Sequence, residues 1–295
     1  MNIHFELYKV FYYVGKYLSF SQAAHELYIS QSAVSQSIKA LEEKLSTKLF
    51  FRHTKKVKLT SEGKLLFEHI EQAFNFIKAG ERSLQQIHSL ERGEVRIGAS
   101  DTICKYYLLP FFKKFHELYP SIKIHVTNAP SPICTELLKK GSVDISIINL
   151  PFKKGNQELE YKEIKKIQDV FIAGENFKFL KEKKLSLKEL ENYPFLSLQK
   201  NSTTRSFFED FIKKHHVSIV PEFELGSIDL LIELTKIGLG ISFVMLDTIK
   251  EALEKQEIFI LDIKEKPPER SIGLLINKKI PIPIATQKLI DLLFC

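Results

Sequence analysis

Cysteine is scarce in this chain: Cys104, Cys134 and Cys295 are the three among 295 residues. An odd, widely spaced set builds neither a disulfide framework nor a zinc pattern. Long apolar runs are missing too. No stretch approaches the roughly 18 uncharged apolar residues of a membrane span. Glu6, Lys9 and Lys16 interrupt the apolar N-terminal segment, which reads against an export leader. The chain is therefore expected to be cytoplasmic, with no membrane partner. Catalytic signatures are lacking as well: there is no nucleophile elbow, HExxH, GxGxxG or CxxC. Of the nine histidines, His215 and His216 are the adjacent pair, and they read as solvated surface rather than a metal site. Neither metal nor cofactor is expected. No internal repeat or low-complexity tract is visible.

What is present suits two ordinary globular domains, with 44% hydrophobic and 27% charged residues. The net charge of +7 is unevenly spread. Residues 1–60 hold nine Lys or Arg against four acids, an excess of five, which leaves an excess of two for the other 235. A local positive excess draws a polyanion from a distance; a solvated lysine-rich surface has the same composition.

Leu7, Val10, Phe11 and Val14 recur at helical spacing and predict a helix from Phe5 to Leu18. Ser21 is expected to cap a second helix, Gln22 to about Leu27. Tyr28, Ile29 and Ser30 form a turn. Val34, Ile38, Leu41 and Leu45 then mark one face of a helix from Gln31 to Leu45. That face packs inward against Ala23, Ala24 and Leu27. Ser32, Ser35, Gln36 and Lys39 are left outside as one stripe. Short hydroxyl and amide groups let a helix sit deep in the DNA major groove, where Gln pairs with adenine's edge and Ser donates or accepts. A helix-turn-helix places its second helix there. Phe50 to Thr60 reads as a small basic hairpin, or wing, whose Arg52, Lys55, Lys56 and Lys58 meet phosphates. The set assigned to double-stranded DNA is Ser21, Gln31, Ser32, Ser35, Gln36, Lys39, Arg52, Lys55 and Lys56. Many globular helix pairs share this pattern, so spacing alone leaves DNA binding and plain packing both open.

A long helical pattern follows, from Ser61 to about Leu90, reaching about 42 Å at 1.5 Å per residue. Its apolar stripe needs a partner, most simply the same helix of a second subunit; the other reading is a core helix of the next domain. Glu91, Arg92 and Gly93 make a hinge. Strand-like runs then alternate with helices: Val95–Ser100, Lys123–Thr127, Val143–Ile148, Asp169–Gly174, Phe195–Leu198, Phe223–Leu225, Ile241–Met245, Ile258–Ile263 and Ser271–Ile276. They imply βαβ units and a largely parallel sheet in two lobes.

Residues 1–63 resemble the N-terminal domain of LysR-type transcriptional regulators. The matching text runs through Phe11, Val14 and Leu18-Ser19-Phe20-Ser21-Gln22-Ala23-Ala24 to Leu27. It continues with Ser30-Gln31-Ser32-Ala33-Val34-Ser35, Ile38, Leu41-Glu42, Leu45, Leu49-Phe50, Arg52, Leu59-Thr60 and Gly63. Three positions depart: Ser46 stands where the family commonly has Gly, Ser32 where it often has Pro, and Phe51 where an acid is common. The resemblance continues through VRIGAS at Val95, LLPFFKKFHELYP at Leu108, GSVDISI at Gly141, NSTTRSFFEDF at Asn201 and ELTKIGLGISFV at Glu233. It implies an α+β multidomain chain. A winged helix-turn-helix (1–60) leads into a linker helix that dimerises (61–90). An effector-binding domain (91–295) follows, two-lobed and like a type 2 periplasmic binding protein. Lobe 1 is placed at about 94–163 and 269–295, lobe 2 at about 164–268. It further implies a homodimer or homotetramer, joined through the 61–90 helix and the effector domain, on bent operator DNA, with a small-molecule effector changing the bend or the assembly.

Ligands of open α/β sheets bind beyond the carboxyl ends of strands. Hydroxyl and amide side chains gather there: Ser100 and Thr102, Asn128 and Ser131, then Ser202 and Thr203. Beside unpaired helix amides they make an anion site. Each also suits a simple helix cap. Arg205 is expected to supply a charge. Ser100, Thr102, Asn128, Ser131, Ser202, Thr203 and Arg205 are therefore assigned to a small carboxylate or inorganic oxyanion. Two rivals stand beside this reading. One is redox sensing by Cys104 and Cys134, each near a helix start where a thiol pKa can fall. The other is a solute-binding protein or enzyme.

Overall fold

The computed structural model describes residues 3–51, 56–88, 93–151 and 158–294. Contacts divide the chain into two units, Met1–Gly80 and Glu81–Cys295.

In the first unit, helices α1 (Phe5–Tyr17), α2 (Phe20–Leu27) and α3 (Gln31–Leu45) follow the expected apolar spacing. Phe11, Val14, Ala23, Val34, Ile38 and Leu41 form their shared core. Ser19, not the expected Ser21, caps α2 by accepting from the Gln22 amide at 3.2 Å. The helix begins earlier than its apolar pattern, so Ser21 already lies in its first turn. Ser30 caps α3 in the same way, from the Ala33 amide at 3.2 Å. Strands β1 (Phe50–Phe51) and β2 (Lys58–Leu59) pair antiparallel as the wing. Glu42, 2% exposed, ties the wing to α3: its carboxylate accepts from the Leu49 amide at 2.9 Å and the Phe50 amide at 3.3 Å. The 28-residue α4 (Ser61–His88) stacks Phe67 and Phe74 on Tyr12 of α1. Gly15 permits that approach, since a Cβ there would lie 2.4 Å from the Phe67 ring.

The second unit starts with β3 (Gly93–Ala99), α5 (Asp101–Ile103), a π-helical turn at Cys104–Leu108 and α6 (Leu109–Leu118). Next come β4 (Ile122–Asn128), α7 (Ser131–Lys139), β5 (Ile145–Asn149) and β6 (Leu159–Ile167). The chain then crosses into lobe 2. This lobe holds β7 (Asp169–Gly174), β8 (Lys184–Leu185), β9 (Phe195–Leu198), α8 (Thr203–Lys214), β10 (Phe223–Leu225) and α9 (Ile228–Lys236). After these come β11 (Ile241–Met245), α10 (Lys250–Glu254), β12 (Ile258–Ile260) and β13 (Asp262–Ile263). β14 (Arg270–Asn277) and α11 (Ile284–Leu293) return to lobe 1. The sheet orders are β4-β3-β5-β14-β6 and β10-β9-β11-β7-β12.

Each sheet is mixed rather than largely parallel. β4, β3 and β5 run parallel, while β14 and β6 are antiparallel additions. β10, β9 and β11 run parallel, with β7 and β12 antiparallel. The antiparallel strands β6, β7 and β14 are those on either side of the lobe crossings. β6 has no counterpart in the sequence reading, because LEYKEIKKI on a sheet edge carries too much charge to look like a strand. The expected lobe division at 163/164 falls inside it, and its register with β14 continues to Ile167↔Arg270. The run Ile258–Ile263 splits, since β12 pairs with β7 and β13 with β8. Lobe 1 packs around Ile97, Leu108, Phe115 and Leu289. Lobe 2 packs around Phe171, Phe195, Phe208 and Phe243, with the Phe195 and Phe208 rings stacked at 4.8 Å.

Candidate DNA-binding face and effector cleft

On α3 the stripe emerges as expected. Ser32, Gln36 and Lys39 are exposed and Ser35 is half-buried, while Val34 and Ile38 on the opposite face are fully enclosed. Ser32 Oγ lies 2.8 Å from Ser30 Oγ, which ties its hydroxyl to the helix cap. Lys39 pairs with Glu43 at 3.8 Å across one turn, an exposed contact worth little. Ser21, Gln31 and Lys56 line one hollow of about 450 Å³ with Ser19 and Phe20. Helix N-termini and the wing thus converge there. Lys58 is exposed on β2. Arg52 and Lys55 lie outside the described residues.

A second hollow opens between the lobes of the effector unit, beyond the carboxyl ends of β3, β4, β5, β9 and β10. Its volume is about 220 Å³, below the roughly 300–1,000 Å³ of sites for drug-sized ligands. Ser100, Thr102, Asn128, Ser131, Ser202 and Thr203 all line it, together with Asn149, Thr204, Ser227 and Ile228. The N-termini of α7, α8 and α9 meet at its wall. Ser202 and Ser227 cap α8 and α9 through the third amide of each, Arg205 at 3.1 Å and Leu230 at 3.3 Å.

Five of the seven hydroxyls that line it share one polarity. Ser100 Oγ accepts from the Ile103 amide at 3.3 Å, and Ser131 Oγ from the Asn149 amide at 3.1 Å. Thr204 Oγ1 accepts from Arg270 Nη2 at 3.0 Å. With Ser202 and Ser227, five oxygens each take an N–H from the protein, so each hydroxyl hydrogen is left to donate elsewhere. Asp101 is the one charged side chain among the described lining residues, and Asn128 Nδ2 donates to it at 3.4 Å.

Ion pairs link the two lobes beside the cleft. Asp229 accepts from Tyr106 and pairs with Lys105 at 2.9 Å. Burial pushes the Asp229 carboxyl up, but those hydrogen bonds outweigh it and hold the group below its ordinary 3.8. Asp247 pairs with Lys165 at 2.7 Å. At the crossing itself, Arg270 is bidentate to Asp169, and both are buried.

Comparison with known proteins now places the chain. The description "LysR substrate binding domain" matches residues 88–294. That of the "bacterial regulatory helix-turn-helix protein, lysR family" matches residues 5–64. The chain belongs to the LysR family. It is a LysR-type DNA-binding transcriptional regulator. A probable RuBisCO transcriptional regulator of Thalassiosira pseudonana is 27% identical over 275 residues, covering 91% of this chain and 90% of that one. A full-length OxyR variant from Pseudomonas aeruginosa shares the fold at TM-score 0.73 and 18% identity, covering 99% of this chain and 95% of that one. The regulatory domain of CcmR from Synechocystis, solved with 2-PG, aligns at TM-score 0.63 and 23% identity, covering 69% of this chain and 96% of that one.

Within this LysR-family frame one expectation needs correction, and the redox rival is not favoured. Arg205 does not line the cleft. It is 4% exposed and turns to Glu209 at 2.7 Å and Glu224 at 3.3 Å. Glu209 sits one helical turn away and supplies the nearest counter-charge, a pairing the i, i+4 spacing already encodes. The cysteines run opposite to a peroxide-reactive pair. Burial, with Asp101 and Cys134 nearby, pushes the Cys104 thiol up to about 11. Burial also carries the Cys134 thiol up to about 11, and its Sγ donates to the Ala129 carbonyl at 3.1 Å. Enclosure in apolar packing outweighs any help from a helix terminus. Asn149 and Thr204 were absent from the expected set. Asn149 ends β5 and carries no pattern of its own, and Thr204's place depends on Arg270, 66 residues away in sequence.

Among the described residues, no helix is long and apolar enough to cross a membrane.

Proposed function

We propose that this LysR-family regulator senses a small, acceptor-rich anion in the inter-lobe cleft and converts its binding into altered operator contact or bending. The observation that carries this reading is the common polarity of five of the seven cleft hydroxyls, each with its oxygen engaged by an N–H. A cleft of donors facing helix N-termini favours an oxyanion over a cation or an apolar ligand. CcmR's complex with 2-PG makes that compound a reasonable first probe here. Ser100, Thr102, Asn128, Ser131, Ser202 and Thr203 are the contacts proposed. On the DNA side, Ser32, Ser35, Gln36 and Lys39 read bases, while Lys56, Arg52 and Lys55 meet phosphates. The working form is a homodimer or homotetramer joined through residues 61–90 and the effector domain, acting in the cytoplasm as a regulator and not as an enzyme.

The test is calorimetric titration of the full-length protein with 2-PG, inorganic phosphate and a neutral diol of matching size. Saturable binding of at least one anion, weakened in Ser100→Ala and Thr203→Ala while operator affinity is kept, supports the reading. Heat from the diol alone, or no anion binding at all, overturns it.

A further inference from the structure

Thr204 differs from the other cleft hydroxyls in what holds it. Ser100, Ser131, Ser202 and Ser227 take backbone amides, whereas Thr204 Oγ1 takes a guanidinium N–H, from Arg270 Nη2 at 3.0 Å. Arg270 cannot readily turn away. Its Nε and Nη2 occupy both oxygens of Asp169, its Cζ lies 5.3 Å over the Phe207 ring, and 5% of its surface is exposed. Its Nη1 is buried without a hydrogen-bond partner among the described residues. An N–H arriving from a fixed cation orients the threonine dipole, because the hydroxyl hydrogen must point away from the donor. Thr204 lines the cleft, and no acceptor for its hydrogen exists among the described residues. The charge-assisted bond also polarises the O–H, making it a stronger donor than a free threonine.

We propose that Thr204 is an oxygen-selecting contact of the effector, and that Arg270 is a positioning residue that fixes its hydroxyl as an obligate donor. This deepens the anion reading of the cleft and rests on it. Asp169 opens β7 and Arg270 opens β14, the two points where the chain crosses between lobes. The same guanidinium therefore touches the ligand-facing threonine and pins both crossings. A ligand oxygen that draws on Thr204 is felt at the hinge through one shared group.

The experiment is isothermal titration of the full-length protein with 2-PG and with inorganic phosphate. Thr204→Ser should bind within about threefold of wild type. Thr204→Val, the same shape without a donor, should bind the anions about tenfold or more weakly, the scale of a lost hydrogen bond to a charged group. Arg270→Lys keeps a cation for Asp169 but not the planar fork that also reaches Thr204, and should weaken binding to a similar degree. In the Thr204→Val background, Arg270→Lys should add no further loss, a non-additivity that a merely structural arginine would not produce. Wild-type affinity in Thr204→Val, or losses that multiply in the double variant, overturns the proposal. If Arg270→Lys does not fold by circular dichroism, the Val and Ser pair at 204 decides alone. If wild type binds neither probe, the anion reading itself fails and this proposal falls with it.

Discussion

Arg82 Nη2, near the end of α4, donates to the Asp144 carboxylate at 3.0 Å, just ahead of β5. The other Asp144 oxygen accepts from the Arg96 amide at 2.9 Å and from Thr286 Oγ1 at 3.2 Å. One acid, 3% exposed at its side chain, thus fastens the last turns of α4, strand β3 and helix α11 together. Asp144→Ala leaves three buried donors without their acceptor. It should cost the effector unit about 3–5 kcal/mol, the usual penalty for breaking a buried pair, read as a lower urea midpoint with an unchanged slope. Asp144→Asn, which keeps one acceptor oxygen, should cost less.

Glu42 plays the matching part in the DNA-binding unit, where its buried carboxylate accepts the Leu49 and Phe50 amides and pairs with Lys48 at 3.2 Å. Glu42→Ala orphans two amides at the base of the wing. A loss of about 2–4 kcal/mol is expected from the desolvation of unpaired donors, measured by thermal unfolding of the protein. Glu42→Gln, still an acceptor but uncharged, should fall between.

The two kinds of DNA contact separate by their salt dependence. Gln36→Ala should cost about 1–3 kcal/mol against an operator selected from a random pool, and little against unrelated duplex. Lys56→Ala should weaken both about equally and lower the salt slope by about one. Fluorescence anisotropy across a salt series checks both. Equal losses on both duplexes for Gln36→Ala would remove it from base readout.

Peroxide should leave the regulator unmoved. Both Cys104 and Cys134 sit near 11 against an ordinary 9.0, so the reactive thiolate is scarce at neutral pH. The sign for stability follows: the folded state holds these protons while the unfolded chain releases them around 9. Stability is then complete below about pH 9 and declines as the pH rises towards 11. Thiol counting after peroxide treatment at pH 7, and alkylation rates between pH 7 and 10, test this. Rapid loss of Cys104 at pH 7 would contradict it.

Periodicity carried the sequence furthest where burial is one-sided. The apolar spacing of α3 marks the helix from Gln31 to Leu45 as it stands, because Val34, Ile38 and Leu41 have no alternative use. β7, β9, β10 and β11 likewise keep their expected ends, each bounded by turn residues. β6 was hidden because an edge strand faces solvent, so its lysines and glutamates leave no apolar signature. Six of the seven residues expected in the cleft line it, since small polar groups after successive strands follow from the topology. Arg205 lies outside the cleft lining and Thr204 within it, for a reason local sequence does not hold. The cation that bears on the cleft is Arg270, where the chain re-enters lobe 1, and it does so through Thr204.

The helix-turn-helix ends all three of its helices in the left-handed region without a glycine: Leu18, Tyr28 and Ser46 have φ of 47°, 55° and 51°. Each such residue works against its own backbone preference by roughly 1–2 kcal/mol. The turns therefore do not set the angles between helices; the core of Phe11, Val34 and Ile38 imposes those angles on the turns. The tilt of α3 is then a collective property of the whole head. A core substitution far from the stripe should re-aim Gln36 and Lys39 before it unfolds anything, so that loss of operator selectivity precedes loss of structure.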